Sequence, residues 1–302
     1  MSKHIPVMED EAINYLNLNE SSIVIDATLG GAGHSSSILR QIKRGFLYAF
    51  DEDSEVIDDA IKKLSSYGSN FKIINRNFRF MKEEVKEEVD AILFDLGTSS
   101  MQLDSKERGF NYHYDSPLDM RMNKNSSLTG KDIVNNYTEE ELTNIFRKYT
   151  DEKYYKSIIK NIIKYRETKE ITRTSELVDI VKNSVPYSYS NKTHPARKTF
   201  MALRIEVNDE LGSLKEGLES AFDLLKRGGR LAVISFSKEE DKIVKNFIKE
   251  KTKEDEVTKG DPFVKDTFKR KAKRITKKKV SKEEILNNFR SRSAVLRVIE
   301  KE

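Results

Sequence analysis

Apolar residues in the N-terminal third of the chain occur in short runs that alternate with segments of helical periodicity. The runs are rich in β-branched and aromatic side chains, which is typical of strands. Strands separated by helices indicate an open α/β fold with a parallel sheet, whose apolar strands are buried on both faces. The predicted strands are residues 23–26, 44–50, 71–74 and 89–94.

The pattern changes to continuous helix signals between about residues 125 and 192, where no strand is predicted. A capping box at residues 138–141 begins one of these helices. A fifth strand, at residues 230–236, follows a long or broken helix. We therefore expect a Rossmann-like α/β domain made of residues 1–124 and 193–302, with an all-helical insertion at residues 125–192. Such an insertion is suited to holding a macromolecule.

A glycine-rich turn, within the sequence IVIDATLGGAGHSS at residues 23–36, joins the first strand to the next helix. Glycines permit positive φ and close approach of a ligand, and the first N–H groups of a helix favour a polar or anionic group. Such turns also occur in ordinary β–turn–α connections, so the turn alone does not identify a binding site.

An acidic residue, Asp51, ends the second strand about twenty residues after the glycines, where βαβ folds bind ribose hydroxyls. A dinucleotide site is one interpretation, but Ser36 stands where the third glycine of the G-x-G-x-x-G fingerprint would be. Asp26 at the end of the first strand makes the turn more similar to that of Rossmann-like S-adenosylmethionine-dependent methyltransferases.

Four predicted strands end next to residues that could bind a ligand. Open α/β sheets bind ligands beyond the carboxyl ends of their strands, so we expect these residues to converge on one crevice. The aromatic member could stack on an adenine ring or serve as an ordinary core residue. In strand order the residues are Asp26, Asp51, Phe78 and Asp95.

The composition, with 35% charged and 37% apolar residues, is that of a soluble protein. No apolar run approaches the roughly 20 residues needed to span a bilayer, and the first residues lack the apolar core of a signal peptide, so we expect a cytoplasmic protein with no membrane partner. Cysteine is absent, which excludes disulfides and cysteine-ligated zinc. The four histidines are dispersed, so no metal is expected.

A dense basic run, KRKAKRITKKK at residues 269–279, precedes a predicted terminal strand. The net charge of +5 permits a nucleic-acid partner without demanding one. The run is suited to an RNA backbone, and the alternative is a solvated lysine-rich loop. In either case it carries no sequence specificity.

A series of motifs, in order along almost the entire chain, resembles the bacterial 16S rRNA (cytosine-N4)-methyltransferases of the MraW type (ribosomal RNA small subunit methyltransferase H). The motifs are HIPV at 4–7 with Glu9 or Glu11, DATLGGAGHS at 26–35, FDLGTSSMQLD and ERGFNY within 94–112, DSPLDMRM at 115–122, PARKTFMALRIEVNDEL at 195–211, GGRLAVISF at 228–236 and RSRSAVLRV at 290–298.

The resemblance implies an rRNA (cytosine-N4-)-methyltransferase. It would transfer a methyl group from S-adenosylmethionine to the exocyclic amine of a cytidine in the decoding region of 16S rRNA, with the 30S ribosomal subunit as partner. A homodimer is included among the expected partners. The implied cofactor-binding residues are Ala32, Gly33 and His34 beside the methionine part, Asp51 on the ribose, and Phe78, Asp95 and Gln102 in the rest of the pocket.

The chain departs from the family pattern in two places. Ser237 and Lys238 stand where the family commonly has a His-Ser pair after the fifth strand, and PARKTFMALR replaces PARRTFQALR. The missing histidine weakens any mechanism that uses it as a base, but we do not expect it to abolish cofactor binding.

The exocyclic amine of cytosine is a poor nucleophile because its lone pair is delocalised into the ring. The site must therefore hold the amine in line with the methyl group and accept its hydrogen bonds. We hypothesise that Asp95, or a carboxylate of the following loop, Asp115 or Asp119, is the acceptor. The loop carboxylates could equally form turns or salt bridges. Phe110 or Tyr112 would hold a cytidine that has left its stack.

Three other classes of function stay open. An NAD-dependent dehydrogenase would share the βαβ turn, but the third glycine and an obvious hydride-transfer site are missing. A small-molecule methyltransferase would leave the basic run and the helical insertion unexplained. An inactive RNA-binding or assembly factor would bind S-adenosylmethionine without transferring its methyl group.

Overall fold

The computed structural model describes residues 6–190, 194–253 and 270–302. The chain divides into two compact units, the first made of residues 1–97 and 211–302 and the second of residues 98–210. His4 and Ile5 of the first family motif and Lys269 of the basic run lie outside the described residues.

The first unit contains a seven-stranded sheet with strand order β3-β2-β1-β4-β5-β7-β6. Strands β1 to β5 are parallel, whereas β7 is antiparallel to both of its neighbours. The expected Rossmann-like α/β sheet is thereby confirmed. The strands are β1 Ile23–Asp26, β2 Phe46–Phe50, β3 Phe71–Ile74, β4 Val89–Asp95, β5 Leu225–Ser235, β6 Ala272–Lys279 and β7 Val295–Lys301.

Helices cover both faces of this sheet, so that the central strands are buried on both sides. Along β4, Ala91 and Leu93 enter one apolar core, while Ile92 and Phe94 enter the other. The helices of the first unit are α1 Glu9–Leu16, α2 Gly33–Gln41, α3 Ile57–Ser65, α4 Met81–Glu84, α12 Glu210–Leu224, which begins at the last residue of the second unit, α13 Lys238–Lys251 and α14 Lys282–Asn287.

The described part of the second unit is helical, apart from an isolated bridge between Pro117 and Arg173. Thr138 caps its predicted helix through a capping box with Glu141, as the sequence suggested. None of the helices described is long and apolar enough to cross a membrane. The helices of this unit are α5 Ser100–Asp104, α6 Gly130–Asn136, α7 Glu139–Tyr149, α8 Tyr155–Arg166, α9 Thr174–Asn183, α10 Tyr187–Ser190 and α11 Arg197–Asn208.

The boundaries between the units differ from those expected, because residues 98–124 and α11 belong to the helical unit. Helix α11 packs against α6 and α7. The Asn208 side chain donates to the Met120 carbonyl at 2.8 Å and accepts from the Met122 N–H at 2.7 Å. These partners are more than 80 residues apart in sequence, so no local pattern indicates that they belong together.

The basic run does not form the lysine-rich loop considered as its alternative. Residues 272–279 form β6, the strand at one edge of the sheet, and pair antiparallel with β7. Charged side chains are typical of exposed sheet edges because they discourage pairing with another chain. Its high charge hides this strand from a search for apolar alternation.

Candidate active site

The carboxyl ends of β1 and β4 are tied together by hydroxyl side chains. Thr28 accepts the Asp95 N–H at 2.7 Å through its hydroxyl, and its own N–H donates to Asp26 at 3.1 Å. The Ser35 hydroxyl donates to the other oxygen of Asp26 at 2.6 Å. Burial raises the pKa of Asp26, although these bonds oppose the shift. Asp26 therefore fixes the turn, with both carboxylate oxygens engaged.

The glycine-rich turn takes its shape from positive φ angles at Gly30 and Ala32, of 48° and 55°. Gly33 serves a different purpose. A Cβ atom there would lie 2.3 Å from Cγ of Pro6, so glycine is what allows the N-terminal segment to pack onto the turn. Ala32 provides no side-chain cap for α2, and among the described residues no hydroxyl or carboxylate takes that role. The first N–H groups of the helix are suited to a polar ligand.

His34 connects the turn to two other segments. Its Nε2 atom lies 3.0 Å from the Val7 carbonyl oxygen, and its Nδ1 atom lies 3.5 Å from Oδ2 of Asp95. Because a carbonyl oxygen can only accept, Nε2 carries a proton. An attractive contact on the other side then requires one further proton between Nδ1 and the Asp95 carboxylate.

Asp95 has the chemistry of an unfilled acceptor. Its Oδ1 atom is buried and has no hydrogen-bond partner within the described part of the chain. Burial raises the pKa of Asp95 to about 6, although the nearby His34 opposes the shift. A buried acceptor without a partner is costly, and such atoms are typical of functional sites. The site therefore has a carboxylate oxygen ready for a donor.

Asp51 follows β2 and is held by backbone groups on both sides. One carboxylate oxygen accepts the Gly30 N–H at 2.8 Å, and the other accepts the Asp53 N–H at 2.9 Å. Burial raises the pKa of Asp51 to about 7. Each oxygen keeps a second lone pair, so the carboxylate can still accept from a ribose hydroxyl pair.

Phe78 begins a 3₁₀ turn after β3 and is half-buried against the core. Its ring makes an edge contact with Phe94 at a centroid distance of 5.2 Å. A Cβ atom at Gly217 of α12 would lie 2.6 Å from the Phe78 ring, so this glycine makes room for it. The structure thus gives Phe78 a packing role, and stacking on adenine stays a prediction.

The other predicted site residues lie in the second unit. Gln102 is buried, and its side-chain oxygen accepts the Ser99 N–H at 3.1 Å in the capping box of α5. Its contact with a cofactor stays a prediction that rests on the resemblance.

The two loop carboxylates are both engaged in ion pairs. Asp115 accepts from Ser175 and Arg173, each at 2.6 Å, and these partners hold its pKa below the usual range. Asp119 accepts from the Arg121 guanidinium at 2.7 and 2.9 Å. Although burial opposes it, Arg121 lowers the pKa of Asp119. Carboxylates held in this way are weaker proton acceptors than Asp95.

The loop aromatics differ in how accessible their rings are. Phe110 is buried, 5% exposed, with the Arg108 guanidinium over its ring. Tyr112 is half-buried and stacks on His194, with ring centroids 4.4 Å apart and His113 at its edge. Of the two candidates for holding a base, Tyr112 is therefore the more accessible.

Ser237, one of the departures from the family pattern, caps α13. Its hydroxyl accepts the Glu240 N–H at 3.1 Å, and the Glu240 carboxylate accepts the N–H groups of Phe236 and Ser237. This capping box is a complete structural role for the serine, and it leaves the hydroxyl no need of a ligand.

Replacing Ser237 by alanine is expected to lower the free energy of unfolding by about 1 kcal/mol, because the N-cap is lost. The affinity for S-adenosylmethionine should not change. Urea denaturation and calorimetric titration measure the two quantities. Lys242→Ala, at an exposed position of the same helix, is the control and should stay within about 0.5 kcal/mol. Weaker cofactor binding at unchanged stability would contradict this role.

Thr28 and Ser35 were not identified from the sequence, yet they hold Asp26 and Asp95 in place. A signal was present. Hydroxyl residues directly after a strand that ends in aspartate can bond both the carboxylate and the neighbouring strand. The pattern is common in turns, so it does not single these residues out.

Comparison with known proteins identifies one family over the full length. A family model described as the MraW methylase family matches residues 1–302. Three solved structures are similar over most of their length. An rRNA methylase from Streptococcus thermophilus is 14% identical, with a TM-score of 0.45, and the match covers 97% of this chain and 93% of that one.

A candidate rRNA methylase from Clostridium thermocellum is also 14% identical, with a TM-score of 0.48, covering 99% of this chain and 100% of that one. A candidate methyltransferase from Streptococcus mutans, crystallised with SAH, is 15% identical, with a TM-score of 0.46 and the same coverage.

Proposed function

This chain belongs to the MraW methylase family, and we propose that it methylates the exocyclic N4 amine of a cytidine in the decoding region of 16S rRNA. The methyl donor is S-adenosylmethionine. The observation that carries the proposal is the Asp95 carboxylate, which ends β4 with one buried oxygen that lacks a partner among the described residues.

The first unit has groups that fit the cofactor. Asp51 would accept from the ribose hydroxyls, as acidic residues after the second strand do in related folds. The uncapped start of α2 would meet the methionine carboxylate through the N–H groups of Gly33 and His34. When bound, S-adenosylmethionine supplies an electrophilic methyl group. Asp51 and the turn would hold it beyond the carboxyl ends of the strands.

Asp95 would act on the amine of the base. Its unpartnered oxygen would accept a hydrogen bond from the amine, which draws electron density back onto nitrogen as the nitrogen becomes tetrahedral. As the N–C bond forms and the bond from carbon to sulfur breaks, the amine would lose one proton. Asp95, with a pKa of about 6, is a suitable acceptor because it is mostly ionised at neutral pH.

Asp115 and Asp119 are less suited to this role. Both accept from arginines, which lowers their pKa, so each would have to give up an ion pair to accept a proton. We therefore assign the acceptor role to Asp95 and expect the loop carboxylates to order the loop.

An RNA substrate agrees with the chemistry of both units. The second unit presents Tyr112, His113 and His194 as a cluster of rings that could stack on bases. The first unit carries basic side chains along β6. These features favour RNA over a small-molecule acceptor, for which neither would be needed.

The test is methyl transfer from radiolabelled S-adenosylmethionine to 30S subunits that lack the modification, with free 16S rRNA and 50S subunits as parallel substrates. We expect label in 16S rRNA, within a fragment of the decoding region after site-directed cleavage. Label in 50S subunits alone, or binding of the cofactor without transfer to any RNA, would contradict the proposal.

A further inference from the structure

The segment that joins β6 to β7, residues 280–294, lies at the same edge of the sheet as the candidate active site. Lys279, the last residue of β6, and Ser235, the last residue of β5, both pair with Val295. In the parallel part of the sheet, Asp95 pairs with Ile234 of β5. The connection therefore begins and ends at the carboxyl edge, where Asp95 lies.

Two large apolar side chains of this connection point into solvent. Leu286 is 86% exposed and Phe289 is 66% exposed. Helix α14, which carries Leu286, has no buried residue, so neither side chain is required to fill a core. Exposed apolar pairs of this kind are typical of binding surfaces.

Cationic side chains surround the two apolar residues. The Arg292 guanidinium lies 4.5 Å from the centre of the Phe289 ring. Lys277 and Lys279 are exposed on the adjoining end of β6. An exposed aromatic ring with a stacked guanidinium and nearby lysines matches a base and its phosphates better than an acidic or neutral peptide.

The acidic residues of the connection leave this surface positive. Glu284 accepts the Met8 N–H at 2.8 Å, so it is turned toward the N-terminal segment. Lys278 pairs with Glu11 at 3.2 Å, which leaves Glu283 as the exposed acid beside the cations.

The contact of Glu284 also places the connection next to the glycine-rich turn. Met8 follows Val7, whose carbonyl oxygen meets His34, and Pro6 packs on Gly33. A strand of RNA that delivers a base to Asp95 would therefore pass close to Leu286 and Phe289.

We propose that Leu286, Phe289, Arg292, Lys277 and Lys279 form a binding surface for single-stranded RNA that flanks the acceptor nucleotide. The inference rests on the proposed function and adds a second RNA contact, on the cofactor-binding unit itself. Phe289 stacks on a base, Leu286 covers the base edge, and the cations meet phosphates. The surface supplies affinity and position, whereas it takes no part in methyl transfer.

The first test replaces Leu286 and Phe289 by alanine together. The KM for 16S rRNA should rise about tenfold, as expected for loss of one stacked base, with kcat at saturating RNA and the Kd for S-adenosylmethionine unchanged. Ile61→Ala, at an exposed apolar position of α3, is the matched control and should leave all three values unchanged. Because the replaced side chains are exposed, the variant should fold.

The second test replaces Lys277 and Lys279 by glutamine and measures RNA binding against salt concentration. The slope of log K against log salt should become shallower by about two, one for each lost phosphate contact. An unchanged KM in the first variant together with an unchanged slope in the second would overturn the inference.

Two further outcomes separate the alternatives. If the variants lose activity on 30S subunits but bind and methylate free 16S rRNA normally, the surface contacts a ribosomal protein, and the RNA assignment is wrong. If the unaltered protein methylates no RNA, the proposed function fails. Normal methylation by the unaltered protein, combined with normal KM and salt slope in the variants, would contradict this inference alone.

Discussion

The Asp95→Asn variant is expected to transfer methyl groups about 10²- to 10⁴-fold more slowly than the unaltered protein, which is the usual range for loss of a general base. Asparagine has nearly the same shape, so the ends of β1 and β4 should stay in place. Its amide cannot take the proton that the amine loses. The effect should therefore fall on kcat, measured at saturating cofactor and RNA.

The same carboxylate gives the reaction its pH dependence. Because burial raises the pKa of Asp95 to about 6, the acceptor is ionised above that pH and protonated below it. The turnover number should fall as the pH decreases through 6, and the residual activity of Asp95→Asn should lack this step. A pH profile of kcat measures both.

Stability should change in the opposite direction. A carboxyl group whose pKa is higher in the folded than in the unfolded protein makes folding less favourable as the pH rises from about 4 to above 6. Asp95→Asn removes that cost, so its free energy of unfolding at pH 8 should exceed that of the unaltered protein by about 1–2 kcal/mol. The difference should disappear near pH 4.

Asp115→Asn and Asp119→Asn are the matched comparisons. Both change a carboxylate to an amide in the second unit, and both weaken an ion pair. If Asp95 is the acceptor, these variants keep turnover within about tenfold at saturating substrate. Loss of turnover in Asp119→Asn, with normal turnover in Asp95→Asn, would move the role to the loop.

The second large effect is expected for Asp51→Asn, whose Kd for S-adenosylmethionine should rise about 10- to 100-fold. A hydrogen bond to a charged group is worth about 1.5–3 kcal/mol, and the amide replaces the charged acceptor of the ribose hydroxyls. The amide oxygen can still accept one backbone N–H, so the turn should survive. Calorimetric titration gives the Kd directly.

This carboxylate also predicts how cofactor affinity depends on pH. Burial raises the pKa of Asp51 to about 7, and hydroxyl donors bind its ionised form. Affinity should therefore weaken as the pH falls below 7, by up to tenfold for each pH unit, and the step should be absent in Asp51→Asn. Glu55→Gln, an exposed position shortly after β2, is the control and should keep the step. A pH-independent Kd in the unaltered protein would contradict the assignment.

The strands of the parallel sheet could be predicted because each is a short apolar run that ends at a residue of different chemistry. Asp26 and Asp95 end β1 and β4, and Asp51 directly follows β2, as their order in the sequence suggested. The break between α11 and α12 also follows from local conformation. Asp209 adopts a left-handed conformation there, with φ of 44°.

Features that depend on distant contacts could not be predicted. The bonds from Asn208 to residues 120 and 122 move α11 into the helical unit, and nothing in either segment indicates its partner. β6 was missed because lysines and arginines fill most of its positions, which hides the alternation of a strand. Its position at the edge of the sheet is what allows that composition.

The site was predicted in its acidic residues but not in their connections. Asp51 and Asp95 could be selected because carboxylates at strand ends bind ligands in open sheets. The orphaned oxygen of Asp95 and its contact with His34 depend on how β1, β4 and α2 pack together. The sequence left three candidates for the acceptor, and the ion pairs of Asp115 and Asp119 are what favour Asp95.

The identity of the methylated nucleoside tests the central claim most directly. After reaction with 30S subunits that lack the modification, the 16S rRNA is digested to nucleosides and analysed by mass spectrometry against synthetic standards. An acceptor carboxylate beside an exocyclic amine predicts N4-methylcytidine. 5-Methylcytidine or a 2′-O-methyl nucleoside would show that Asp95 does not receive the amine, and the account of the site would be wrong.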